Sequence, residues 1–162
     1  MNPPSLESMV AEHYDSVWRF CARRCGQDLA PDLTQETFIT AQKALKGFRG
    51  ESSVKTWLLG IALNHCRVTS RKLGREILSD AVLLEGSTAP NDDILNRVFL
   101  EEVLLNLPIE QREVVVLHEL EGLTYEEIAH LTNVPVGTVK SRLHYAFVQL
   151  RKSVEPDLEV NL

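Results

Sequence analysis

The stretch LTYEEIAHLTNVPVGTVKSRLHYAFVQLR, residues 123–151, decides the fold. Thr124 and Glu127 stand at capping-box spacing, so a helix is expected to start at Tyr125. Asn133-Val134-Pro135 interrupts it, because Pro135 disfavours helical geometry at Val134. A second helix is expected from Val136 or Gly137. Its apolar positions Val139, Leu143, Ala146 and Leu150 recur at i, i+4, i+7 and i+11, a single buried stripe. At about 100° per residue the opposite face carries Gly137, Ser141, His144 and Tyr145, with Thr138 and Lys140 at its edges. Two helices joined in this way form a helix-turn-helix, the unit that lays its second helix in the DNA major groove. From residue 136 to 152 there are four basic residues (Lys140, Arg142, Arg151, Lys152) and no acidic one, which suits a helix that meets phosphates.

Upstream, helical periodicity continues. Residues 110–120 read as a helix capped by Gly122. The helix before it contains Val98, Phe99, Val103 and Leu104 and ends at Leu107-Pro108. Before that comes GSTAPNDD, residues 86–93, a turn-rich polar run. It marks residues 74–93 as a flexible linker between two small helical domains, residues 1–73 and 94–162. The fold class expected is all-α.

In the first domain, residues 6–25 form a helix with Val10, Tyr14, Val17, Trp18 and Cys21 toward the core. The next opens at Pro31, with Asp32 as N-cap and Gln35 three residues on. It buries Phe38, Ala41, Leu45 and Phe48 and leaves Asp32, Gln35, Glu36 and Thr40 outside. After a loop over residues 48–53, a third helix runs from Val54 to about Lys72. Val54, Trp57, Leu58, Ile61 and His65 should form its core side. Gly60, Asn64, Arg67 and Arg71 make a second stripe at i, i+4, i+7 and i+11. Asn64 can both donate to and accept from a base edge, and arginines suit phosphates or base stacking. Residues 49–75 hold six basic residues and Glu51 as the one acid. A second nucleic-acid site is therefore expected on this helix.

Charge is divided along the chain. Residues 1–75 hold 11 Lys/Arg against 7 Asp/Glu, net +4, and residues 76–162 hold 6 against 16, net −10. A helix-turn-helix in an acidic half should bind bare DNA poorly, because phosphate repulsion opposes the groove contacts. A larger basic partner would supply the missing attraction. Two modest sites on one tether would gain from effective concentration on DNA elements at a fixed separation.

Other function classes find little support. No run of about 18 apolar residues occurs and the first residues lack signal-peptide blocks, so a cytoplasmic protein without membrane insertion is expected. Three cysteines do not suggest a disulfide framework. Cys21 and Cys25 lie one turn apart, with His13 upstream and His65-Cys66 elsewhere. Without a second matched pair this is not zinc spacing, so no metal or other cofactor is expected. His118, His130 and His144 are scattered and suggest no catalytic constellation. Neither an enzyme nor a small-molecule substrate is expected.

Three segments together resemble a known family: DLTQETF (32–38), FRGESSVKTWLLGIALNHCR (48–67) and LTYEEIAHLTNVPVGTVKSRL (123–143). They look like bacterial RNA polymerase sigma factors of the extracytoplasmic-function group. The resemblance covers most of the chain, in order and with a linker between. It implies a subunit that binds core RNA polymerase and promoter DNA, recognises the −35 and −10 elements and helps open the duplex for transcription initiation. It also implies an anti-sigma partner. By the resemblance, Asp32, Gln35 and Glu36 dock on the polymerase clamp helices. Ser52, Ser53 and Asn64 belong to the part that captures a flipped −10 base, and Arg67, Arg71 and Lys72 hold the opened strand. Lys140, Ser141, His144 and Tyr145 read the −35 element, with Thr138 and Arg142 on phosphates. Tyr145 departs from the family, which often has a basic residue there; a tyrosine cannot make the bidentate contact to guanine that arginine makes. The alternative is a free-standing helix-turn-helix repressor whose first domain senses a ligand or dimerises. Such a repressor binds a duplex palindrome alone, whereas a sigma factor needs core polymerase.

Overall fold

The computed structural model describes residues 4–76 and 92–154. Among these residues every regular element is a helix. The chain divides into two compact units, one within Met1–Thr88 and one within Ala89–Leu162. The linker expected over residues 74–93 lies outside the described residues except at its ends. There, residues 74–76 continue the helix before it and residues 92 and 93 open the helix after it.

In the first unit, α1 (Leu6–Cys25), α2 (Ala30–Ala44) and α3 (Val54–Glu76) each pack against the other two. Ser5 caps α1, its side chain accepting from the Ser8 N–H at 3.1 Å. Gly26 ends the helix at φ +97°, a conformation that costs glycine little, and donates its N–H to the Ala22 carbonyl. α2 begins one turn earlier than expected, capped by Leu29 without a side-chain bond. Asp32 is thus inside the first turn rather than the N-cap. Pro31 does not delay the start, because first-turn N–H groups have no intrahelical partner to lose.

The core faces of α1 and α3 are rotated from the expected ones. On α1 the buried residues are Met9, Val17, Phe20, Cys21, Ala22 and Arg24, while Val10 and Trp18 are half-buried. Tyr14 is exposed and stacks on Phe38 with ring centroids 6.2 Å apart. On α3 the core side is Leu58, Leu59, Ala62, Leu63 and Cys66. Val54, Trp57, Ile61 and His65 form a half-buried flank, where Trp57 meets Phe48 at 4.8 Å. On α2, polar residues also enter the interior. Thr34 and Thr37 are buried because each hydroxyl donates back to the carbonyl four residues earlier, both at 2.7 Å. On α2, Phe38 and Ala41 are buried as expected, but Leu45 and Phe48 after it are only half-buried.

The second unit comprises α4 (Asp92–Asn106), α5 (Ile109–Val115) widening into a π turn (Val116–Leu120), α6 (Tyr125–Thr132) and α7 (Val136–Val154). Gly122, at φ +74°, closes the π turn by donating to the His118 carbonyl at 3.2 Å. The capping box at Thr124 and Glu127 is formed in both directions. The turn after α6 rests on Asn133, at φ 58° and ψ 47°, a left-handed conformation that asparagine tolerates. Pro135 then accepts from the Thr138 and Val139 N–H groups at the start of α7. Val139, Leu143 and Ala146 are buried and Leu150 is half-buried, so the expected stripe faces the unit's interior. It meets Val114, Val116, Leu117 and Ile128 in a core to which α4 adds Val103 and Leu104, while Phe99 of α4 is exposed.

Arg112 holds α4 in place. It is buried on α5, and its Nε donates to the Leu104 carbonyl at 2.8 Å. Its Nη2 donates to the Leu105 and Leu107 carbonyls at 2.7 and 3.1 Å. The last carbonyls of a helix have no intrahelical donor, and a cation there also complements the helix dipole.

Candidate nucleic-acid interface

In the second unit the exposed side of α7 carries the residues that the sequence places opposite its apolar stripe. Gly137, Lys140, Ser141, His144 and Tyr145 are exposed, and Thr138 and Arg142 at the edges are half-buried. The face is partly organised before any ligand is met. Lys140 Nζ lies 5.7 Å from the centre of the Tyr125 ring, a cation–π contact that reaches back across the turn. Tyr125 stacks in turn on His118 at 4.7 Å, and His118 Nδ1 is 3.0 Å from Glu119 Oε1. Ser141 Oγ donates to the Gly137 carbonyl at 3.0 Å, leaving its lone pairs toward solvent. His144 and Tyr145 pack edge to face at 5.6 Å, and Tyr145 is 60% exposed. Tyr125 and His118 were not foreseen as part of this site. Only the fold brings them beside Lys140, and no spacing rule signals it.

In the first unit, Gly60, Asn64, Arg67 and Arg71 run along the side of α3 turned from the core. Asn64, Arg71 and Lys72 are exposed and Arg67 is half-buried. The loop before the helix behaves differently from its sequence reading. Ser53 is the N-cap of α3: its Oγ accepts the Thr56 N–H and donates to Thr56 Oγ1, both at 3.0 Å, while its carbonyl accepts the Trp57 N–H. Its hydroxyl is committed to the helix. Ser52 is exposed, with Oγ donating to the Ser53 carbonyl at 3.2 Å.

Asp32, Gln35 and Glu36 lie together on the outer surface of α2. Glu36 is tied to the neighbouring helix: its Oε2 is 3.4 Å from His65 Nδ1, and His65 Nε2 is 2.7 Å from Thr40 Oγ1. The acidic patch of α2 and the Asn64 stripe of α3 are thereby joined through the residue next to Asn64. His65 was expected as an apolar-side residue, and nothing in the spacing announced this link.

Comparisons with known proteins agree with this layout. The Sigma-70 region 2 family model matches residues 9–76, and the Sigma-70, region 4 model matches residues 100–150. The chain is 34% identical over 163 residues to the ECF RNA polymerase sigma factor SigC of Mycobacterium tuberculosis, covering 96% of this chain and 86% of that one. It is 31% identical to the ECF RNA polymerase sigma-E factor of Haemophilus influenzae, covering 91% and 86%. Among solved structures it is similar to the sigma factor RpoE of Bartonella quintana in complex with the anti-sigma factor NepR. That likeness has a TM-score of 0.78 at 28% identity and covers 93% of this chain and 97% of that one.

Proposed function

Because the chain belongs to the extracytoplasmic-function group of RNA polymerase sigma factors, we propose a division of labour between its two units and assign it to named residues. The protein is a promoter-recognising subunit of RNA polymerase, a DNA-binding regulatory subunit. The first unit, residues 1–73, docks through Asp32, Gln35 and Glu36 and opens the −10 element through α3. The second unit, residues 94–162, reads the −35 element through α7. The observation that supports this assignment is one chain with two helices whose exposed polar faces differ in design. α7 presents a compact, preformed groove reader around Lys140 and Ser141. α3 presents an amide followed by cations along a single stripe, as capture of an unpaired strand needs.

Asn64 takes the flipped base, and Arg71 and Lys72, with Arg67 beside them, hold the strand backbone. Ser52 is available for the same strand, whereas Ser53 serves it by fixing the first turn of α3. Flipping a base costs a few kcal/mol, and the contacts must return that energy. At the −35 element Lys140, Ser141, His144 and Tyr145 meet base edges, with Thr138 and Arg142 on phosphates. Tyr145 favours apolar and single hydrogen-bond contacts over guanine readout. An anti-sigma protein is a further partner, supported by the complex formed by the Bartonella relative. The cytoplasm, where core polymerase works, is the corresponding compartment; no helix of the described residues is long and apolar enough to cross a membrane.

The double substitution Lys140→Ala, Ser141→Ala tests the −35 assignment. A good base contact contributes about 1–3 kcal/mol, so recruitment to a −35-dependent promoter should fall by about tenfold or more, with binding to free core polymerase unchanged. Unchanged recruitment would place the reading face elsewhere.

A further inference from the structure

The three cysteines, far apart in sequence, meet in the first unit. Cys21 and Cys25 come from α1 and Cys66 from α3, and all three are free thiols. Cys21 and Cys25 are both near enough to Cys66 to act on its thiol. Cys25 Sγ also lies 3.8 Å from the Cys66 carbonyl oxygen and 3.8 Å from Ser70 Oγ, both on α3. Among the described residues no group of three or more His, Cys, Asp and Glu has an arrangement that could hold a metal ion. The chemistry left to this cluster is that of sulfur itself.

The thiols are not equivalent. Cys21 and Cys66 are buried, but Cys25 is half-buried. Cys25 is the last residue of α1, followed by Gly26, so its backbone can shift more readily than one in mid-helix. The guanidinium of Arg24, only 2% exposed, places Nη1 3.8 Å from Cys25 Sγ and 3.0 Å from Ser70 Oγ. A buried cation beside a sulfur favours its thiolate, the nucleophilic form. Cys66 is the reverse: contact with Cys21, then with Cys25, and burial hold its thiol far above the ordinary range, so it keeps its proton.

We propose that Cys25 and Cys66 are a peroxide-responsive pair whose disulfide ties the end of α1 to α3 and lowers promoter opening. In the first step the Cys25 thiolate attacks one oxygen of hydrogen peroxide. The O–O bond breaks, hydroxide leaves and takes up a proton as water, and Cys25 becomes a sulfenic acid. In the second, with the Cys25 thiolate charge that helped hold the Cys66 proton now gone, Cys66 gives up that proton as its Sγ attacks Cys25 Sγ. The S–O bond breaks, and the hydroxyl departs as water with the Cys66 proton. The two sulfurs lose two electrons and the peroxide gains them. An S–S bond is about 2.05 Å long, so closing it draws the end of α1 onto α3 and pulls on α3 at Cys66. Cys66 lies between Asn64 and Arg67, and that movement displaces the strand-holding stripe.

The full-length protein is treated with hydrogen peroxide, cleared with catalase and only then mixed with untreated core polymerase. Digestion without reductant should yield a Cys25–Cys66 linked peptide, absent from Cys25→Ser and Cys66→Ala and retained in Cys21→Ser. Run-off transcription should fall at least about fivefold, since small misplacements of positioned groups are costly, and dithiothreitol should restore it. Cys25→Ser should stay active after peroxide, and it is the deciding variant if Cys66→Ala does not fold. A Cys21–Cys66 link or no link overturns the pair, and a Cys25–Cys66 link with unchanged transcription overturns its effect on opening. A reduced protein without transcription activity would instead count against the sigma assignment, which the peptide map does not depend on.

Discussion

Asn64→Ala should lower open-complex formation by between about 5- and 150-fold, the range that corresponds to losing about 1–3 kcal/mol of hydrogen bonding to a captured base. The loss should appear in opening and not in assembly. Asn64 is exposed on α3, whereas the residues assigned to polymerase docking are on α2, so affinity for core polymerase should change little. Exposed substitutions away from special features usually shift stability by less than about 0.5 kcal/mol, so the melting curve should be that of the wild type. Permanganate footprinting on a promoter the protein uses separates opening from binding. Equal losses in both would remove Asn64 from the role of base capture. A useful contrast is Ser53→Ala, which removes the N-cap of α3 and therefore acts through helix stability.

Arg112→Met should be the most damaging single substitution for the second unit. Methionine keeps much of the apolar stem but strips the donors from the Leu104, Leu105 and Leu107 carbonyls. Each buried carbonyl left without its donor costs about 1–3 kcal/mol, a large part of the roughly 5–15 kcal/mol that stabilises a domain. Both tryptophans, Trp18 and Trp57, belong to the first unit. Tryptophan fluorescence in urea should therefore be unchanged, while circular dichroism should show a helical transition moved to lower denaturant. A shift worth less than about 1 kcal/mol would mean that Arg112 does not hold α4 in place. This arginine could not be read from sequence as more than a surface charge, because its partners are backbone carbonyls on another helix.

What was legible followed from local rules. The helix-turn-helix could be placed because a capping box, a proline and an apolar stripe of helical period all act within one segment, and each recurs in the structure. The exposed faces of α7 and of the Asn64 stripe followed from the same period. What was not legible depended on contacts between helices. On α1 and α3, Trp18, Ile61 and His65 look more like core than Arg24 or Cys66, although Val17, Cys21 and Leu58 are inward as expected. Arg24 is buried with Ser70 of another helix as its partner, and Cys66 lies beside Cys21 of α1. The N-cap of α2 was misplaced because proline and aspartate are as acceptable inside the first turn as before it. The meeting of three cysteines and the His65 bridge from Glu36 to Thr40 likewise exist only once α1, α2 and α3 are packed.

This chain reads promoters as a subunit of RNA polymerase and not as a free repressor. The measurement that tests it most directly is purification with bacterial core RNA polymerase followed by run-off transcription on a fragmented genomic library. The account predicts a stable complex and new start sites sharing two upstream elements, lost or much reduced with the Asn64→Ala protein. Absence of binding to core polymerase, together with tight dimeric binding to a duplex palindrome by the protein alone, would contradict it.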